Sequence, residues 1–302
     1  MSEPVYHVPV LLREAVDGLN IRPDGIYVDC TFGGGGHARE ILKRLSDKGQ
    51  LVVFDQDADA RQNVPDDSRV QFVPHNFRHL QRFLRLQKIT EADGILADLG
   101  VSSHQFDDAA RGFSTRFEGD LDMRMDKRQV LTAFDVVNNR SEERLHKIFE
   151  LYGEVTNAKT LAKKIVEVRR LVSLKTIANF KQAIHSVVKG NPHRYFAQVF
   201  QALRIEVNDE LGALTEMLQQ VPSLLKPGGR IAIITFHSLE DRIVKNFFRK
   251  GSFEETTADP FGQNTPAPPL KVITKKPVAP AADEIKRNPR SRSARLRIAE
   301  RV

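Results

Sequence analysis

DCTFGGGGHA, residues 29–38, follows the apolar run Ile26-Tyr27-Val28. A short buried strand that ends in an acidic residue and passes through glycines into a helix is the ligand-binding turn of a doubly wound α/β domain. Glycine lets such a turn take positive φ and lets a ligand approach bare backbone. Asp29 narrows the ligand. A pyrophosphate would sit at the helix N-terminus, and a carboxylate in the same crevice repels it. A ligand with a cationic amino group and no phosphate fits better, and S-adenosylmethionine is such a ligand. A dinucleotide and a purely structural glycine turn are the competing readings.

Working outward from this turn, further strands are predicted at 51–55, 69–73 and 94–98, with helical segments such as 38–45 and 80–86 between them. Strands alternating with helices give a mostly parallel sheet. The next strand is predicted at 230–236, announced by the turn LLKPGGR at 224–230. About 130 residues separate it from the fourth strand, whereas a parallel crossover needs only a dozen or so. The excess predicts an inserted domain at 106–195 within a discontinuous core of 1–105 and 196–302. The insert reads as helical. Ser141 caps a helix with Glu142 and Glu143 in its first turn, and Leu145, Ile148, Phe149 and Tyr152 keep 3.6-residue spacing up to Gly153. A second stripe, Ala158, Leu161, Ile165 and Val168, has a basic outer face that includes Lys159, Lys163, Lys164, Arg169 and Arg170. A third holds Ile177, Ile184, Val187 and Val188, closed by Gly190 and Pro192. From Phe196 to Leu218 the apolar spacing predicts one long helix, ended or kinked by Pro222. Residues 259–282 read as a Pro/Ala-rich connector, and SARLRIA at 293–299 as a last strand at the sheet edge.

Composition bounds the setting. The chain has 302 residues, 40% of them hydrophobic, enough for one large domain or two ordinary ones. No apolar run approaches the roughly 20 residues of a membrane span, and the first residues lack the pattern of a secretion signal. The single Cys30 excludes intramolecular disulfides and cysteine metal clusters. A cytoplasmic location is expected. Residues 271–302 carry ten Lys/Arg and three Asp/Glu, while the remainder has 36 of each sign. A segment that holds the whole surplus of +7 points to a polyanion. A solvated tail is the alternative.

Several strand-end residues could carry chemistry. Asp55 in VVFDQD suits the two hydroxyls of a ribose, or caps a helix. Phe77 could flank an adenine or belong to the core. In DGILADLGVSSHQ at 93–105, Asp98 lies beside the first strand across the switch point, where ligands bind in such sheets. It can face the ammonium of S-adenosylmethionine or the nucleophile that takes its methyl group. Gly100, Ser102 and Ser103 would form a tight loop, and Gln105 could add an amide to the methionine part. TFHSLEDR at 235–242 brings His237, Ser238, Glu240 and Asp241 toward the same edge. A lone His is more often structural, and the two acids also suit a first helical turn. His7 and His37 find no metal-ligand partner, and HExxH and CxxC are missing, so no metal is expected. Methylating carbon 5 of a pyrimidine needs an attacking cysteine, and Cys30 should point away from Asp29. That favours nitrogen or oxygen as acceptor. An exocyclic amine needs alignment and a hydrogen-bond acceptor rather than covalent catalysis. A base in structured RNA must first be splayed out.

Together these stretches resemble the bacterial ribosomal small-subunit RNA (cytosine-N4)-methyltransferases, the RsmH/MraW family. The resemblance runs nearly end to end: HVPVLLREA at 7–15, the glycine turn, DGILADLGVSSHQ, RGFST at 111–115, LDMRM at 121–125, VFQALRIEVNDEL at 199–211, TFHSLEDRIVK at 235–245 and NPRSRSARLRIAER at 288–301. It implies a Rossmann-like S-adenosylmethionine-dependent core, a helical insert for substrate recognition, and methylation of one cytosine N4 in the decoding region of small-subunit ribosomal RNA. Cofactor contacts carry over to Gly35, Gly36, His37, Asp55, Phe77, Asp98 and Gln105. Asp98 is the candidate catalytic residue. Lys163, Arg170, Arg290, Arg292 and Arg295 are the candidate phosphate contacts. The chain departs from the family pattern at Gly119-Asp120, at Val155 and at Gly34. DLGV also stands where many other amino-methyltransferases have (D/N)PP(Y/F). Other classes to weigh are a methyltransferase for a small molecule or protein, a dinucleotide oxidoreductase, and a ribosomal-RNA-binding assembly factor without catalysis. Monomer and homodimer are both open.

Overall fold

The computed structural model describes residues 9–253 and 267–302. His7 and the first part of the expected connector, 259–266, lie outside the described residues. The chain divides into two compact units, Met1–Gly100 with Gly212–Val302, and Val101–Leu211. The second unit is wider on both sides than the insert predicted at 106–195.

The first unit opens with α1 (Leu12–Gly18), β1 (Ile26–Asp29), α2 (Gly36–Leu42), β2 (Gln50–Phe54), β3 (Val70–Val73), α3 (Leu80–Leu86) and β4 (Ala92–Asp98). The second holds α4 (Ser103–Asp107), α5 (Ala133–Asn139), α6 (Glu142–Leu151), α7 (Ala158–Val168), α8 (Ile177–Ile184) and α9 (Pro192–Asn208). The chain returns through α10 (Glu210–Leu224) to β5 (Leu225–Thr235), α11 (Ser238–Lys250), β6 (Leu270–Val272), α12 (Ala282–Arg287) and β7 (Arg295–Arg301).

The sheet runs β3-β2-β1-β4-β5-β7-β6. β1 to β5 pair in parallel, and β7 lies antiparallel between β5 and β6. Successive strands step one way from β1 to β3 and the other way from β4 to β5, which puts the switch point between β1 and β4. The Rossmann-like, mostly parallel sheet expected from the glycine turn is therefore present. Alternate residues of the strands feed two apolar layers. Val28, Val52, Phe54, Ile95 and Ile233 pack with Leu80, Leu84, Leu214, Met217 and Phe247. Tyr27, Leu51, Val53, Leu96 and Ile234 pack with Ala15, Val16 and Ile41. Both faces are covered, as a parallel sheet requires.

Three expectations need correction. The helix expected from 196 to 218 is two helices, because Asp209 takes φ 47° between α9 and α10. Aspartate tolerates the left-handed region better than most residues. Pro222, expected to end or kink the helix, lies inside the last turn of α10, two residues before its end. The last strand is not at the edge, since β6 covers it. β6 itself falls within the segment read as a connector.

The second unit has its own core, with Leu145, Ile148, Phe149, Leu161, Ile165, Phe180, Val199 and Leu203 all buried. Ser141 caps α6 as expected, its hydroxyl accepting from the Arg144 N–H at 3.2 Å. The RGFST and LDMRM stretches form a knot at the end of α9. Asn208 Oδ1 accepts from the Met125 N–H at 2.7 Å, and its amide donates to the Met123 carbonyl at 2.8 Å. Arg111, also buried, donates to the carbonyls of Arg124 and Met125. Asp122 and Arg124 pair through two bonds of 2.8 and 2.7 Å.

Candidate active site

Asp29 ends β1 and Asp98 ends β4, so the two carboxyl-terminal strand ends flanking the switch point are both acidic. Thr31 ties them together. Its N–H donates to Asp29 Oδ1 at 3.0 Å and its hydroxyl accepts from the Asp98 N–H at 2.6 Å. No signal in the sequence marked Thr31 beyond its place two residues past the strand. Asp29 is 1% exposed. Burial pushes its carboxyl up to about 7; the bonds from Thr31 oppose the rise and the charge of Asp55 adds to it. Asp98 is also pushed up, first by burial and then by the charges of Asp29 and Glu240. Its Oδ1 is shut from solvent with no hydrogen-bond partner among the described residues, and Oδ2 lies 3.7 Å from His37 Nδ1. His37 Nε2 lies 3.1 Å from the Val10 carbonyl. A carbonyl only accepts, so Nε2 carries the proton and Nδ1 faces Asp98.

The glycine turn is shaped by close packing. Gly35 takes φ 74°, and a Cβ there would stand 2.8 Å from the Phe32 ring. A Cβ on Gly36 would stand 2.0 Å from Pro9. Asp55, just past β2, holds the turn from the other side. Its Oδ2 accepts from the Gly33 N–H at 2.7 Å and its Oδ1 from the Asp57 N–H at 2.8 Å. The helix-cap alternative belongs to Asp57, which caps the following 3-10 turn. Phe77 is half-buried against the core layer.

β5 delivers the third strand end. Glu240 is buried, and its Oε2 accepts from the Phe236 N–H at 2.9 Å. His237 caps α11 through Nδ1, and its Nε2 lies 3.2 Å from Glu240 Oε1. That is the structural role weighed for a lone His. Asp241 is committed elsewhere, to Arg297 on β7, by bonds of 2.7 and 2.9 Å. Glu240 joins the acidic cluster, at the edge toward which TFHSLEDR is expected to bring it. Cys30 is 2% exposed and packs in the layer with Val28. Burial and the Asp29 charge push its thiol up, so it is no nucleophile.

The remaining candidates fall in both units. Gln105 is buried in the second unit, where it completes a capping box with Ser102. Lys163 and Arg170 are exposed on the second unit. Lys163 has Glu167 at 4.0 Å. Arg169, counted with that basic face, instead turns inward and donates to the carbonyls of Val137 and Arg140. In the first unit Arg290 and Arg292 are exposed, while Arg295 is half-buried and donates to the Ala294 carbonyl at 2.8 Å. Among the described residues no cluster of His, Cys, Asp and Glu could hold a metal ion, and no helix is long and apolar enough to cross a membrane.

Two relatives named ribosomal RNA small subunit methyltransferase H are each 55% identical. One, from Parabacteroides distasonis, covers 100% of this chain and 99% of its own length. The other, from Bacteroides fragilis, covers 99% of each. Among solved structures, a rRNA methylase from Streptococcus thermophilus aligns with 98% of this chain and 99% of its own, at 11% identity and a TM-score of 0.42. A family profile matches residues 4–302, and the chain belongs to the MraW methylase family.

Proposed function

We propose that this methylase transfers the methyl group of S-adenosylmethionine to the N4 amine of a cytosine in the decoding region of small-subunit ribosomal RNA. The ribosomal substrate is carried over from the names of full-length relatives at 55% identity. The observation that carries the cofactor is the acidic switch point. Asp29, Asp98 and Glu240 crowd the ends of β1, β4 and β5, and Asp98 keeps one buried oxygen without a partner. Such a site repels phosphate and suits an ammonium group. Asp55, just past β2, would hold the ribose, and Phe77 would flank the adenine. Gly35, Gly36, His37 and Gln105 complete the cofactor set. The insert at 106–195 recognises the substrate, and the setting is the cytoplasm.

When bound, S-adenosylmethionine supplies a methyl group on a sulfonium, whose C–S bond breaks as the N4–C bond forms. The chain's own part is alignment and a place for the amine proton. A carboxyl held above its usual range is a better proton acceptor near neutral pH than an ordinary aspartate. Asp98, at the end of β4, is the candidate acceptor, and His37 Nδ1 lies 3.7 Å from its Oδ2. Cys30 offers no covalent route, which is consistent with an exocyclic amine as acceptor.

Calorimetric titration with S-adenosylmethionine and with NAD tests the cofactor. The account expects the first to bind, NAD not to bind, and Asp98→Asn to weaken S-adenosylmethionine at least tenfold. NAD binding without S-adenosylmethionine binding would overturn it.

A further inference from the structure

At the far end of the sheet from the glycine turn, α11, β6 and β7 enclose a hollow of about 120 Å³. Its floor is apolar, made by Phe248 and Val272. Its walls are basic. Lys245 and Arg249 stand one turn apart on α11, Lys275 comes from the segment after β6, and Arg297 comes from β7. None of the lining residues is acidic. Arg297 is held in place by Asp241, which lies one turn before Lys245 on the same helix face. Lys245, Arg249 and Lys275 are exposed and have no ion-pair partner among the described residues. Thr274 is fixed at the rim, its hydroxyl oxygen accepting from the Ile298 N–H at 2.9 Å. The hydroxyl proton remains to donate.

Three unpaired cations on a solvated surface would spread apart. Here they converge on a concave site whose apolar floor keeps water away from one side, and a cleft of one sign focuses its field. We infer that this hollow is a binding site for a backbone phosphate of the RNA substrate, set apart from the methyl-transfer site. The inference rests on the proposed ribosomal RNA substrate. It adds a contact that neither the exposed arginines before β7 nor the face of α7 supplies. The hollow is too small for a base pair and lacks an exposed aromatic ring on which a base could stack. A single tetrahedral anion held by Lys245, Arg249 and Lys275, with Thr274 donating, matches its chemistry.

The test measures binding of unmethylated small-subunit ribosomal RNA over a range of salt concentrations. It compares the full chain with the triple variant Lys245→Ala, Arg249→Ala, Lys275→Ala. The alanine variant should bind more weakly, and its plot of log K against log salt should be shallower by about 1 for the lost phosphate. A second triple variant, Lys245→Arg, Arg249→Lys, Lys275→Arg, keeps the charges and should keep the slope of the unmodified chain. Affinity and slope unchanged in the alanine variant, while the unmodified chain binds the RNA, would overturn the hollow alone. Failure of the unmodified chain to bind the RNA would overturn the substrate assignment and the hollow with it.

Discussion

Asp29 and Asp98 are paired by topology, since β1 and β4 are neighbours in the sheet although 67 residues separate Thr31 from Asp98. The sequence makes both legible, because an acidic residue at the end of an apolar strand run stands out. It places Glu240 only at the site edge, with a first helical turn as the alternative, and it hides Thr31, whose role depends on a strand brought in from afar. The raised carboxyl of Asp29 has a measurable consequence. Folded, it holds a proton up to about pH 7, whereas an unfolded aspartate releases it near about pH 4. Between those values the folded chain binds more protons, so stability falls as pH rises through the window, by at most about 1.4 kcal/mol per pH unit. Asp98 acts in the same direction. Asp29→Asn should lessen the fall, read from urea unfolding across that window. A variant with the same pH dependence as the unmodified chain would show that Asp29 is not the titrating group.

Among elements, the end of α9 and the LDMRM stretch depend on one side chain. Asn208 is 3% exposed and serves the Met125 N–H and the Met123 carbonyl, with Met123 itself at φ 63°. Asn208→Ala leaves a buried donor and a buried acceptor unpaired and should cost about 2 kcal/mol. Thermal unfolding followed by circular dichroism would show it, and an unchanged midpoint would contradict the knot. LDMRM thus acts inside its own unit through Asp122–Arg124 and the buried Met123 and Met125. The long parallel strands were readable from apolar runs bounded by turns. The break at Asp209 was not, because the apolar spacing continues across it and only backbone dihedrals differ. β6 was missed because three residues of strand inside a proline-rich stretch carry too short a pattern. Its partner strand supplies the stability that its own sequence lacks.

Across the molecule, charge is the property whose arrangement the sequence alone leaves open. The basic segment 271–302 is not a free tail. Arg297 pairs with Asp241, Arg301 with Glu91, and the segment ends in a strand inside the sheet. Arg290 and Arg292 remain exposed, together with Lys271, Lys275, Lys276, Lys286 and Arg287. Arg290→Ala with Arg292→Ala should weaken RNA binding and make its salt dependence shallower by up to about 2 in log–log slope. An unchanged slope would remove those arginines from the interface. Methyl transfer from labelled S-adenosylmethionine to small ribosomal subunits lacking the modification, with nucleoside analysis of the product, decides the reaction. Labelled N4-methylcytidine is the expected product, lost with Asp98→Ala. Label on another nucleoside, or none while S-adenosylmethionine binds, would contradict it.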